Sequence, residues 1–116
     1  MGNNKITGNE GENRAVQFLL ENGYKILFRN WRLNIGEIDI IALKEDVLVF
    51  VEVKTMPNST LDMLKSVLNA QKQKRIIKMS KCFLQNNREY NDRYIRFDVI
   101  ILDMKGLPPV YHIENA

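Results

Sequence analysis

The sequence predicts an α/β domain with a central mixed β-sheet flanked by helices, and three observations carry that prediction. Two neighbouring segments, Glu37 to Leu43 and Val47 to Thr55, are rich in β-branched and aliphatic residues at both odd and even positions, the mark of strands covered on both faces. Two segments with apolar residues at helical spacing bracket them. The chain has 116 residues, which is one domain at roughly 100 to 200 residues each. No repeat or Pro/Gly-rich linker divides it, and residues 1–7 read as a flexible tail.

The elements follow in order. From about Gly8 to Asn22, Ala15, Val16, Leu19 and Leu20 share one helical face and Gly23 supplies the stop. Tyr24 to Phe28 reads as a short strand, and Arg29-Asn30-Trp31-Arg32-Leu33-Asn34 as a basic, aromatic-bearing connection. Lys44-Glu45-Asp46 has the composition of a tight turn between the two apolar strands. In that hairpin Ile38, Ile40 and Ala42 are expected on one face with Val47, Val49, Val51 and Val53, and Ile41, Leu43, Leu48 and Phe50 on the other. Met56 to Leu68 reads as a loop in which Leu61, Leu64 and Leu68 could form a turn or two of helix. A second helix is expected from an N-cap at Asn69 to Asn86, with Ile76, Ile77, Ser80, Phe83 and Leu84 inward and Lys74, Lys78 and Lys81 outward. Tyr94 to Asp103 is a further strand, and Val110 to Ile113 a short terminal one after the Pro108-Pro109 break.

Composition narrows the class. With 45% hydrophobic and 27% charged residues the chain is neither disordered nor fibrous. The single cysteine, Cys82, allows no intramolecular disulfide, which fits a reducing cytoplasmic setting, and with no His or Cys near it in sequence it is assigned no zinc or catalytic role. The longest clean apolar run, Val47 to Val51, is far short of the roughly 20 residues of a spanning helix, so no membrane role is expected. Met1 to Asn9 is polar and carries no secretory apolar region.

Net charge is only +3, but it is unevenly placed: −1 over residues 1–61, +6 over 62–96 and −2 over 97–116. A basic middle beside an acidic first half points to a polyanion contact next to a carboxylate-bearing site, with a solvated lysine face as the plain alternative.

The chemistry concentrates in the hairpin. With Glu45 and Asp46 as its turn, Lys44 opposes Val47 and Asp39 falls directly across from Glu52. Side chains so paired have Cβ atoms about 4.5–5.5 Å apart, and like charges there destabilise. Lys54 follows on the same face as Glu52. Two adjacent carboxylates at the rim of an apolar layer call for a positive charge between them. A hard divalent ion, Mg²⁺ or Mn²⁺, meets that need and binds phosphate with the rest of its shell. The plain alternative is a Lys54 salt bridge to one acid with the other left wet. Glu12 lies on the packing face of the first helix, with Ala15, Val16 and Leu19, which marks it as a further site acid or as an N-terminal capping group.

Here the chain resembles a known group. Gly-Glu-Ile-Asp-Ile-Ile at 36–41 and Phe-Val-Glu-Val-Lys-Thr at 50–55 resemble the PD-(D/E)XK nuclease superfamily, and more closely the YraN-type bacterial family. Gly11-Glu12-x-x-Ala15, Gly23-Tyr24, Arg29 to Arg32, Lys72-x-x-Arg75-Ile76 and Arg96 to Ile100 match too, so the resemblance runs from about Gly8 to Leu102. It implies a restriction-endonuclease-like core similar to Holliday-junction resolvases. It also implies Asp39 and Glu52 as metal-binding acids, Lys54 as the motif lysine and Glu12 as the helix-one glutamate. Ile38 stands where the motif's name has proline.

The expected function is therefore a divalent-metal-dependent DNA endonuclease, with branched DNA as a candidate substrate. Glu12, Asp39, Glu52 and Lys54 are its catalytic set, the three acids are its metal ligands, and Mg²⁺ or Mn²⁺ is its cofactor. Arg29, Trp31 and Arg32, with Lys72, Lys74 and Arg75 at the start of the second helix, are the candidate nucleic-acid contacts. Trp31 reads equally as a lid over the core, and Lys72 as a solvated lysine. A non-catalytic nucleic-acid-binding module with the same fold is the alternative, and a homodimer stays open. Asp98 is expected to be structural, held by Arg96 or a backbone amide, and His112 is given no general-base role.

Overall fold

The Lys44-Glu45-Asp46 turn closes the hairpin as its composition requires. In the computed structural model, which describes residues 2–67 and 70–116 and the side chains of 10–65 and 73–116, β2 (Gly36–Lys44) and β3 (Val47–Thr55) pair antiparallel with Lys44 opposite Val47. Glu45 takes the left-handed turn conformation, φ 52°. β1 (Lys25–Leu33) adds antiparallel to β2, β4 (Tyr94–Leu102) adds parallel to β3, and β5 (Val110–Ile113) adds antiparallel to β4. The result is a five-stranded mixed sheet in the order β1-β2-β3-β4-β5.

A parallel step from β3 to β4 needs a crossover, and two helices supply it: α2 (Leu61–Val67) and α3 (Ala70–Asn86). α1 (Gly2–Glu21) precedes the sheet. Ala15 and Leu19 of α1 pack on Ile40, Ala42, Val49, Val51, Ile100 and Leu102. Met79 and Phe83 of α3 pack on the other face, against Ile38, Ile41, Leu48 and Phe50. The sheet is thus covered above and below, as its doubly apolar strands demand, and each fully buried Leu, Ile or Phe contributes about 1.5–3 kcal/mol.

Several expectations need correction. β1 does not end at Phe28: Arg29, Trp31 and Arg32 are strand residues, because their pairing with Ile40, Ile38 and Glu37 extends an edge strand whose polar side chains reach solvent or α1. α1 begins at Gly2 rather than about Gly8. The Met56 to Leu68 stretch contains the short helix α2, while Leu68 and the Asn69 cap lie outside the described residues. On α3 the inward face is centred on Ile76, Met79, Ser80 and Phe83; Ile77, expected inside, is 43% exposed. That i, i+3, i+4, i+7 set turns the helix enough to lift Ile77 off the sheet.

The most consequential correction concerns Ile38 and Asp39. Strict alternation puts Ile38 with Ile40 and Asp39 with Ile41, but Ile38 packs in the Ile41, Leu48 and Phe50 cluster. The β2–β3 pairing runs only from Lys44/Val47 to Ile40/Val51, one step short of Asp39 and Glu52. There the two strands part, and the parting opens the cleft described next.

Candidate functional site

Where β2 and β3 separate, Val53 would face the backbone of Ile38 if the register continued. Its N–H instead donates to Asp39 Oδ2 at 2.8 Å, so an acidic side chain has entered the ladder. The parting leaves a cleft of about 430 Å³ lined by Glu12, Glu37, Asp39, Glu52, Lys54 and Arg75, together with Gly36, Val53 and Thr55. All four members of the expected catalytic set are therefore brought together.

They arrive from three elements, α1, β2 and β3. Glu12 is delivered by α1, and Gly11 fixes how closely that helix lies: a Cβ there would stand 3.0 Å from Thr55 Oγ1 and 3.1 Å from Leu102 Cδ1. Glu37 sits two residues before Asp39 on β2. Arg75 comes from α3 and passes over Gly36, where a Cβ would stand 3.1 Å from its Cδ and where φ is 155°. Glycine alone suits that backbone and that approach.

The acids are crowded. One ligand oxygen each of Glu12, Glu37 and Asp39 lies within 4.8 Å of the others, a spacing at which the three could hold a metal ion. Glu12 has 15% of its side chain exposed, its Oε2 is buried without a hydrogen-bond partner, and the nearest cation, Arg29 Nη2, is 3.7 Å away. Burial is the main force raising the Asp39 carboxyl. The Val53 N–H pulls it down, and the charges of Glu12, Glu52 and Glu37 add to the rise, which leaves it at about 6.

Basic groups ring the acids. Arg29 meets Glu12 and also donates to Asn13 Oδ1 at 2.7 Å; Arg32 pairs with Glu37 Oε2 at 3.1 Å; Lys54 Nζ stands 3.4 Å from Glu52 Oε1. Arg32 and Lys54 are 74% and 43% exposed, so these pairs hold their partners loosely. Trp31 lies edge-on to Phe83, 5.4 Å between centroids, as a partly buried cover on the core. Lys74 is exposed on the outer face of α3, and the Lys72 side chain lies outside the described residues.

Glu37 is the residue that sequence reasoning missed. The signal was present: side-chain alternation puts residues 37 and 39 on one side of a strand, so an acid at 37 accompanies an acid at 39. Asp98 is the structural acid expected. Arg96 Nε and Nη2 each donate to it at 2.8 Å, His112 Nε2 lies 2.6 Å away and the Asn115 N–H donates at 3.0 Å. Burial alone would raise its carboxyl, but the hydrogen bonds from His112, Arg96 and Asn115 outweigh it and hold Asp98 below the ordinary range. Arg96 also donates to the Tyr24 hydroxyl, tying β4 and β5 to the α1–β1 junction.

Residues 11–102, which include the whole cleft, match the model of the uncharacterised protein family UPF0102. A UPF0102 protein of Treponema denticola is 50% identical over 102 residues, covering 82% of this chain and 78% of the relative. One from Dictyoglomus turgidum is 43% identical over 106 residues, 90% and 89% of the two chains, and one from Clostridioides difficile is 43% identical over 117 residues, 98% of each. Matched along most of its length both by the family model and by relatives well above 30% identity, the chain belongs to UPF0102.

Proposed function

We propose that this protein is a divalent-metal-dependent nuclease that hydrolyses phosphodiester bonds in DNA, on a core of the PD-(D/E)XK type. The observation that carries the reading is the joint placement of Glu12, Glu37, Asp39, Glu52 and Lys54 in one cleft, with an acid inserted into the strand ladder and a buried glutamate oxygen left without a donor. Such crowding costs stability, and a fold that keeps it uses it.

All the available ligands are carboxylate oxygens, the donor set of a hard ion such as Mg²⁺ or Mn²⁺. Glu12, Asp39 and Glu37 would hold it, with Glu52 completing the shell. When bound, the ion would lower the pKa of coordinated water and neutralise charge on the phosphate. The protein's own groups do the rest. The Val53 N–H fixes the Asp39 carboxylate so that one oxygen faces the cleft. Glu52 positions Lys54, whose ammonium donates to the attacking water or to the phosphate oxygens. Arg75, at the cleft wall, offers a planar donor for a phosphate on the α3 side.

The test is cleavage of fluorescent linear, nicked, flapped and four-way DNA with Mn²⁺, with Mg²⁺ and with EDTA. Wild type should cut only with metal, and Lys54→Ala should lose about 10²–10⁴-fold in rate while retaining DNA binding. Undiminished cleavage by Glu52→Ala would refute the assignment. Binding that is indifferent to metal, with no cleavage of any substrate, would instead identify a non-catalytic nucleic-acid-binding module.

A further inference from the structure

Outside the cleft, the strongest unexplained feature is the outer face of α3. No Asp or Glu stands between Asp62 and Glu89, while seven Lys and Arg do. Lys74, Lys78, Lys81 and Gln85 follow one another at spacings of four, three and four residues, which puts them on a single stripe of the helix, and all four are exposed. Arg88, in the 3-10 turn that follows the helix, continues the line: it lines a second concavity, of about 390 Å³, together with Lys81, Gln85, Leu84 and Asn91. At 1.5 Å per residue the helical part of the stripe is about 17 Å long. Its start adjoins the cleft, because Lys74 neighbours Arg75, a residue of the cleft wall. Among the described residues no acid pairs with Lys74, Lys78, Lys81 or Arg88.

The geometry points to this stripe as a track for the phosphate backbone of duplex DNA leading away from the cleft. The stripe bears no aromatic side chain, and binding of single strands relies on aromatic stacking between the cations. A membrane surface would need the apolar face of α3 free for insertion, but Met79 and Phe83 are buried against the sheet. What remains is a straight row of point charges, which suits regularly spaced phosphates: about 17 Å corresponds to about five base pairs along one strand. The inference rests on the nuclease reading for what the cleft does and adds where the substrate lies. The preferred substrate is a polymer that extends about five base pairs beyond the cut, rather than a short oligonucleotide.

The test measures anisotropy of a labelled duplex of about 20 base pairs in EDTA over a range of KCl, with wild type and with K74A/K78A/K81A/R88A. Alanine is the best helix former, and K74Q/K78Q/K81Q/R88Q serves as a second variant should the first fail to fold. Removing four phosphate contacts should lower the slope of log affinity against log salt by about 3.6. Single-stranded DNA of the same length should show a smaller change. An unchanged slope, an equal change on single strands, or capture by phosphatidylserine vesicles with no duplex binding would overturn the track. If the variants lose the slope but wild type never cuts with Mn²⁺, the track stands and the nuclease reading falls. If wild type cuts but the slope is unmoved, the reverse holds.

Discussion

The carboxylate of Asp39 accepts the backbone N–H of Val53 at 2.8 Å, so the two central strands are joined at the cleft by a side chain rather than by a peptide carbonyl. This one contact explains why the pairing stops at Ile40 and Val51 and why Ile38 turns toward α3 while Asp39 meets the Glu12 side. Burial and the neighbouring acids raise the Asp39 carboxyl in spite of this contact, and the first predictions concern it.

Asn in place of Asp39 keeps an oxygen to accept the Val53 N–H and removes the charge among Glu12, Glu37 and Glu52. Asp39→Asn is expected to be more stable than wild type by about 1–3 kcal/mol at pH 7 without metal, measured by urea denaturation, and to have lost metal-dependent cleavage. A destabilised variant would show that the acids are not in mutual repulsion.

The pH dependence has a definite sign. The Asp39 carboxyl titrates at about 6 in the folded protein, above its ordinary 3.8, so the folded state binds the extra proton in between. Its penalty is therefore in full force above pH 6 and is relieved as pH falls toward 4. The stability of wild type relative to Asp39→Asn should rise on acidification across that window, by up to about 3 kcal/mol. A difference flat with pH would refute the raised value.

Asp98 behaves oppositely. Its folded carboxyl lies below the ordinary range, so its contribution is present above about pH 4 and fades as pH falls below that. Asp98→Asn leaves the Arg96 guanidinium, one-fifth exposed, with only the exposed Glu114 carboxylate at 3.9 Å as counter-charge and should cost about 3–5 kcal/mol, measured by urea denaturation. Thermal unfolding with and without Mn²⁺ should show an undiminished metal-induced rise in melting temperature, because Asp98 does not line the cleft.

Glu37→Gln tests the acid that sequence reasoning overlooked. Calorimetric titration with Mn²⁺ should show affinity reduced at least about tenfold, the size of effect seen when a metal site loses a supporting group. Wild-type affinity in this variant would remove Glu37 from the ligand set.

Gly11→Val should push α1 off Thr55 and Leu102, since a Cβ at that position would stand 3.0 Å from Thr55 Oγ1 and 3.1 Å from Leu102 Cδ1. Overpacking of that kind costs about 1–3 kcal/mol. Because Glu12 is the next residue, metal affinity should fall together with stability, and a variant that loses only stability would break the link between the helix's approach and the site.

Read as a linear chain, the molecule already declared much of this. Alternation and apolar content located β2 and β3 and their cover on both faces, the polar triplet at 44–46 set the turn and thereby the pairing sum, and helical spacing singled out Glu12 among the acids of α1. These are local properties, dictated by backbone period and side-chain character. The three-dimensional arrangement alone settled where the pairing ends, because strand separation depends on Asp39 competing for the Val53 N–H, an event between residues 14 apart. It also settled the company of the acids. Glu37 joins because the parting strands leave it beside Glu12; Arg29 meets Glu12 through the packing of α1 on the sheet, and Arg32 meets Glu37 across the β1–β2 register. No periodicity encodes such distances: they follow from how closely helix and sheet approach, which side-chain volumes, and here the bare Cα of Gly11, determine.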